Sequence, residues 1–263
     1  MGAKKVRAVI FDWAGTTLDF GSLAPVRTLQ RVFEEAGVPI TEEEARRDMG
    51  LAKRDHIAAL LDLPRLHALL KCDVDALYKS FIPLQLACLK QYSALIPGVP
   101  QVVASLRTNG IKIGSTTGYT RAMLDLLLGE AANQGYKPDC SLSPEDAGAG
   151  RPHPFMLYAA AVKLQVYPLS AMIKVGDTPS DIKEGLNAGT WSVGVAGTGN
   201  GIGLALNDFQ SLEPEQQAER LRKSRLDLQA AGAHYVIDTL AQLPSVITDV
   251  EARLNGATES NGL

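Results

Sequence analysis

Short apolar runs recur along this chain with helical patterns between them, and no other feature restricts its fold as much. The runs cover 6–11, 111–115, 172–175, 191–195 and, less cleanly, 234–237. The first, Val6 to Phe11, is rich in β-branched residues, ends at Asp12 and is followed by the turn-forming Gly15-Thr16-Thr17, the pattern of a buried parallel strand. Between the runs, apolar residues recur at helical spacing over 101–107, 121–130, 155–164, 180–188, 214–229 and 240–254. Alternation of this kind predicts an α/β fold, a three-layer, Rossmann-like parallel sheet with helices on both faces. A length of 263 residues suits such a core with a smaller insertion better than two unrelated domains.

One region breaks the alternation. From 24 to about 95 the periodicity is helical and no strand is legible. Pro25 suits the first turn of a helix that Gly37 stops, Thr41 and Glu44 form a capping box, and Asp73 caps a helix running through Cys88. The expected organisation is a core of 1–20 and 98–263 with an all-helical cap domain at 21–97. Ten Lys+Arg face ten Asp+Glu in that cap, so it is no bulk anion-binding surface. Over the whole chain 26 Lys+Arg oppose 29 Asp+Glu, and no basic cluster is interleaved with aromatics, which argues against nucleic acid as a partner. Hydrophobic residues at 46% and charged residues at 21% exclude wholesale disorder and a fibrous architecture. No run is long enough for a signal peptide or a membrane span, so a cytoplasmic protein with no membrane partner is expected. Cys72, Cys88 and Cys140 fit neither a disulfide framework nor a zinc site and read as reduced, packed thiols. The Gly-rich run 197–203 lacks the dinucleotide-binding spacing and reads as a loop, and 255–263 reads as a disordered tail.

In an open parallel sheet, ligands bind beyond the carboxyl ends of the strands. The first strand delivers Asp12-Trp13-Ala14-Gly15-Thr16, the second Ser115-Thr116-Thr117-Gly118, and the third Gly176-Asp177-Thr178-Pro179-Ser180-Asp181, with Arg151 between the last two. Asp12 and Asp177 suit a hard octahedral cation such as Mg²⁺, whereas Thr117, nearby backbone N–H groups and Arg151 suit phosphoryl oxygens. A carboxylate can also be the nucleophile and form an aspartyl phosphate. Singly these residues have plainer readings: Asp12 as a turn former, Asp177 and Asp181 as ordinary helix N-terminal acids. Their order at successive strand ends is what points to phosphoryl transfer.

These segments resemble the four ordered motifs of the haloacid dehalogenase superfamily, and the helical insert resembles its cap. Phosphatases of that superfamily carry a second Asp two residues after the nucleophile; here that position is Ala14. Ala14, Arg151 in place of the commoner Lys, the segment Met49-Gly50-Leu51-Ala52-Lys53-Arg54-Asp55-His56 and the stretch from Gly110 to Thr120 together resemble the phosphonatase family, the phosphonoacetaldehyde hydrolases. The resemblance implies Mg²⁺-dependent hydrolysis of a carbon–phosphorus bond, giving acetaldehyde and phosphate. It implies Asp12 as nucleophile and metal ligand, the Ala14 carbonyl and Asp177 as further ligands, and Asp181 orienting that site. Thr117, Gly118 and Arg151 would hold the phosphoryl group, and Met49 would pack beside the substrate. Lys53 would form a Schiff base with the aldehyde, with His56 shuttling protons, although a lysine or histidine on a helix is by itself most often structural or solvated. A homodimer joined through the caps is also implied. The chain departs from the family pattern in a shorter segment between Arg65 and Asp73 and in Ser22 where some members have Cys. The alternatives are a phosphomonoesterase on the same core and a non-catalytic protein that binds a phosphate ligand.

Overall fold

A computed structural model describes residues 4–67 and 73–256 of the chain. Strand β1 (Ala8–Phe11) leads into five helices: α1 (Leu23–Glu35), α2 (Glu42–Arg47), α3 (Lys53–Leu61), α4 (Pro64–His67) and α5 (Val74–Leu89). There follow α6 (Val99–Thr108), β2 (Lys112–Thr116), α7 (Arg121–Asn133), β3 (Cys140–Leu142), α8 (Pro144–Ala147) and α9 (Phe155–Leu164). The chain then runs through β4 (Met172–Gly176), α10 (Pro179–Ala188), β5 (Trp191–Val195), α11 (Leu206–Gln210), α12 (Pro214–Ala230), β6 (Tyr235–Ile237) and α13 (Leu243–Leu254). All six strands are parallel, in the order β3-β2-β1-β4-β5-β6. That is the doubly wound order, which puts β1 beside both β2 and β4 and opens a crevice at their carboxyl ends.

Successive side chains of β1 serve different layers, as the two-residue period of a strand requires. Val9 and Phe11 join one hydrophobic cluster with Val103, Leu106 and Leu127, whereas Ala8 and Ile10 join another with Met156, Leu157 and Leu164. Each fully buried Val, Ile or Phe side chain contributes about 1.5–3 kcal/mol, so β1 is anchored from both faces. Helix α12, polar over most of its length, buries Ser224 and Leu228 against the β5 and β6 side of the sheet.

Strand β3 corrects the five-strand expectation. It is a three-residue edge strand, Cys-Ser-Leu, with no β-branched residue, and its pairing with β2 rather than its composition makes it a strand. Lys174 corrects a second reading, because the run taken as continuously apolar carries a lysine that is wholly buried. The expected tail is also shortened. Asn255 exchanges hydrogen bonds with the backbone of Lys4, at 2.8 Å in each direction, and only 257–263 of that tail lie outside the described residues. Cys72 and residues 68–72 of the segment between Arg65 and Asp73 also lie outside them. Cys88 and Cys140 are half-buried and unpaired.

Among the described residues of 21–97 no named strand occurs. Thr41 and Glu44 form the reciprocal capping box, at 3.1 and 2.8 Å, and Asp73 caps α5 through the Ala76 N–H. The segment joins the core by two antiparallel connections. Leu18 bridges Leu95, Ile96 N–H donates to the Thr17 carbonyl at 2.9 Å, and Asp19 N–H donates to Ala94 at 3.2 Å. The Asp19 carboxylate then accepts from the Leu23 and Ala24 N–H groups and so starts α1. No helix among the described residues is long and apolar enough to cross a membrane.

Candidate active site

Asp12 follows β1, Thr117 follows β2 and Asp177 follows β4, so three neighbouring strands present them at one edge of the sheet. Arg151 arrives from the loop between α8 and α9 and is buried among carboxylates. Its Nη2 donates to Asp12 Oδ1 at 2.6 Å and to the Thr116 carbonyl at 2.7 Å, its Nη1 pairs with Asp181 at 3.0 Å, and its Nε pairs with Glu184 at 3.0 Å. Lys174 lies behind it and pairs with Asp181 at 2.8 Å and Glu184 at 3.2 Å. Asp181 is also the third helical residue of a capping box with Thr178, so its plain helix-terminal reading and its place behind Arg151 are both true.

Opposite this edge, α2 ends and the chain turns at Gly50, which has a φ of 94°, before α3 begins at Lys53. The helix is therefore interrupted between Met49 and Lys53. Lys53 is buried, and its ammonium stands 5.2 Å from the centroid of the Tyr119 ring. Burial lowers its pKa to about 8; Asp12 opposes that shift and Arg151 adds to it. His56, one helical turn on, is buried as well, and burial followed by the Lys53 charge lowers its pKa to about 3. The imidazole is thus neutral at ordinary pH.

One cleft brings these groups together, with about 280 Å³ of atom-free space that is partly open to solvent. Asp12, Ala14, Met49, Lys53, Thr117, Gly118 and Arg151 all line it, joined by Ser22, Pro25, Gly50, Tyr119 and Thr178. His56 lies behind Lys53 and does not line the cleft. The two sides meet closely at Gly118, where a Cβ would stand 2.3 Å from the Leu51 carbonyl oxygen. Only glycine lets the β2 loop approach that backbone.

Asp12, Asp177 and Asp181 offer carboxylate oxygens within 4.8 Å of one another, all buried. Among the described residues no ion pair involves Asp177, whose oxygens accept only from Thr16 Oγ1 at 3.0 Å and the Asn200 N–H at 2.7 Å. Burial, reinforced by the Asp12 and Asp181 charges, pushes the Asp177 carboxyl well above its ordinary pKa. A hard divalent cation fits this donor set, since it would compensate charge that Lys174 and Arg151 leave unpaired.

Lys174, Glu184, Tyr119 and Asn200 are the participants that sequence reading missed. The signal for Lys174 was present, a lysine in the middle of an apolar strand. Tyr119 was signalled by its place directly after Thr117-Gly118.

Comparisons with known proteins give the family of the chain. Residues 6–189 match the model of a family described as haloacid dehalogenase-like hydrolase. The chain is 48% identical over 260 residues to a phosphonoacetaldehyde hydrolase of Paraburkholderia phytofirmans, covering 95% of this chain and 97% of that protein. It is 46% identical over 256 residues to one of Bacillus thuringiensis, covering 94% and 97%. A crystal structure of a phosphonoacetaldehyde hydrolase-like protein from Oleispira antarctica superposes with a TM-score of 0.93 at 40% identity, covering 100% of this chain and 98% of that one. With a buried nucleophile candidate, an acidic cluster and a helical segment closing over them on a doubly wound sheet, the chain belongs to the haloacid dehalogenase-like hydrolases, in the family of the phosphonoacetaldehyde hydrolases.

Proposed function

We propose that the protein hydrolyses phosphonoacetaldehyde to acetaldehyde and phosphate, with 21–97 acting as a cap domain over a core of 1–20 and 98–263. The observation that carries this reading is a buried lysine of lowered pKa in the same cleft as Asp12 and Arg151, with Ala14 two residues after Asp12. An ester phosphatase needs an acid there to protonate a departing alkoxide. Cleavage of a carbon–phosphorus bond instead releases a carbanion equivalent, which needs an electron sink.

The neutral amine of Lys53 attacks the aldehyde carbon, water leaves, and uptake of one proton from solvent gives a protonated imine. An Asp12 carboxylate oxygen then attacks phosphorus. As the carbon–phosphorus bond breaks, its electron pair passes into the imine and leaves a neutral enamine on Lys53 and an aspartyl phosphate on Asp12. Protonation of the enamine carbon and hydrolysis of the resulting imine release acetaldehyde, and water cleaves the acyl phosphate to give phosphate and restore Asp12. Arg151 and the Thr117–Gly118 loop hold the phosphoryl oxygens, Met49 packs beside the carbon chain, and His56 relays protons during imine formation. Mg²⁺ held by Asp12, Asp177 and the Ala14 carbonyl, with Asp181 orienting that site, would screen the repulsion between a carboxylate nucleophile and an anionic phosphonate. A homodimer joined through the caps, implied by the family, completes this reading.

The test is release of phosphate and acetaldehyde from phosphonoacetaldehyde, compared with release of phosphate from a simple alkyl phosphate. Equimolar products from the phosphonate and poor turnover of the ester are expected. Comparable turnover of both would favour the phosphomonoesterase alternative.

A further inference from the structure

The Gly-rich loop 197–203, which carries no role in the reaction above, touches both the acidic cluster and the helical segment over it. Asn200 is the junction. Its main-chain N–H donates to Asp177 Oδ2 at 2.7 Å, and its side-chain amide donates to the Arg46 carbonyl at 3.1 Å. Arg46, at the end of α2, answers with its guanidinium. Nη1 reaches Asn200 Oδ1 at 3.1 Å and the Gly21 carbonyl at 2.9 Å, and Nη2 reaches the Gly203 carbonyl at 3.1 Å. Among the described residues the only other hydrogen-bond partner of that side chain is Glu42 on its own helix. Arg46 therefore clasps the connection at Gly21 and the core loop at once, and its side chain is only 12% exposed.

The loop is built for close approach to Asp177. A Cβ on Gly199 would fall 2.2 Å from the Asp177 Cβ, so the main chain there lies directly against the carboxylate's stem. Thr198 Oγ1 donates to the Gly15 carbonyl at 2.7 Å and ties the same loop to the turn after Asp12. Movement of the loop would shift one of the two donors that orient Asp177.

We propose that Arg46 and Asn200 are positioning residues for Asp177, coupling the seating of 21–97 on the core to the affinity of the acidic cluster for a divalent cation. This rests on the cation reading above. Lifting the segment would strip Arg46 of Asn200 and Gly203, and free the loop that fixes Asp177. Linkage requires the converse: cation binding must favour the seated state by the same factor.

The experiment is calorimetric titration of the full chain with MgCl₂, without substrate, alongside hydrogen exchange of the connections at 17–22 and 94–97. In Arg46→Met and Asn200→Ala, Mg²⁺ affinity should fall by about 5- to 150-fold, the usual span of such couplings. The double variant should fall little further, because both changes break one clasp. Mg²⁺ should slow exchange at the connections of the wild type and lose that effect in the variants. Arg65→Ala, whose partners Glu44 and Pro39 belong to the same segment, should bind Mg²⁺ as the wild type does. Should Arg46→Met not fold, Arg46→Lys carries the same expectation, since one ammonium cannot replace a fork that spans three acceptors. Affinities within twofold of wild type in Arg46 and Asn200 variants would overturn the coupling alone. A wild type that binds no Mg²⁺ would overturn the cation reading itself, and the coupling with it.

Discussion

Lys53 carries a cost to the fold beside the role proposed for it. Its side chain is buried against Tyr119 with no carboxylate in ion-pair contact among the described residues, so its charged form is poorly solvated. The folded pKa of about 8 lies below the unfolded value near 10.5. Between those values the unfolded chain binds more protons, and stability should rise with pH across that window. Lys53→Met should remove this slope, raise stability at pH 7 on the order of 1–3 kcal/mol and abolish turnover. Urea melts at pH 7, 8.5 and 10 check it; a variant less stable than wild type at pH 7 would show that the ammonium is better compensated than burial implies. Sequence alone could place Lys53 beside His56 on one helical turn, but not the burial that shifts either pKa, because burial depends on how 21–97 seats on the core.

At the scale of elements, strand ends and helix caps were the most legible features. Asp12 could be placed at the end of β1 because an apolar run followed by Gly-Thr-Thr has few other readings, and the Thr41 and Asp73 caps rest on local chemistry that the chain carries itself. Strand β3 was not legible, since a three-residue edge strand is defined by its neighbour. Lys174 was hidden for a related reason: its partners Asp181 and Glu184 come from α10, one turn apart on the face packed against β4. That network makes a sharp stability prediction. Lys174→Met would leave Asp181 and Glu184 buried with Arg151 as their only cation, and removing one member of a buried charge network costs about 3–5 kcal/mol. Equilibrium unfolding in urea measures this directly. A loss below about 1 kcal/mol would mean that Arg151 alone compensates both carboxylates and that Lys174 is dispensable.

For the molecule as a whole, the sheet supplies carboxylates and an arginine at its edge, and the helical segment supplies an amine to the same cleft. Neither half has the full set of groups. Activity should therefore depend on the acidic cluster being loaded: thorough chelation should abolish phosphate release, and added Mg²⁺ should restore it, whereas full activity after chelation would remove the metal from the reading. The architecture itself was legible in the alternation of strands and helices, and the run of helices from α1 to α5 in the one stretch lacking strands. How the two close on each other, at Gly118 against Leu51 and at Arg46 against Asn200, was not, because those contacts join residues more than sixty positions apart. The proposed chemistry depends above all on a covalent role for Lys53. Treating the protein with phosphonoacetaldehyde and borohydride, then mapping the modified peptide by mass spectrometry, tests it most directly. An ethyl or phosphonoethyl adduct on Lys53 with loss of activity is predicted; an adduct confined to another lysine, or normal hydrolysis by Lys53→Arg, would contradict it.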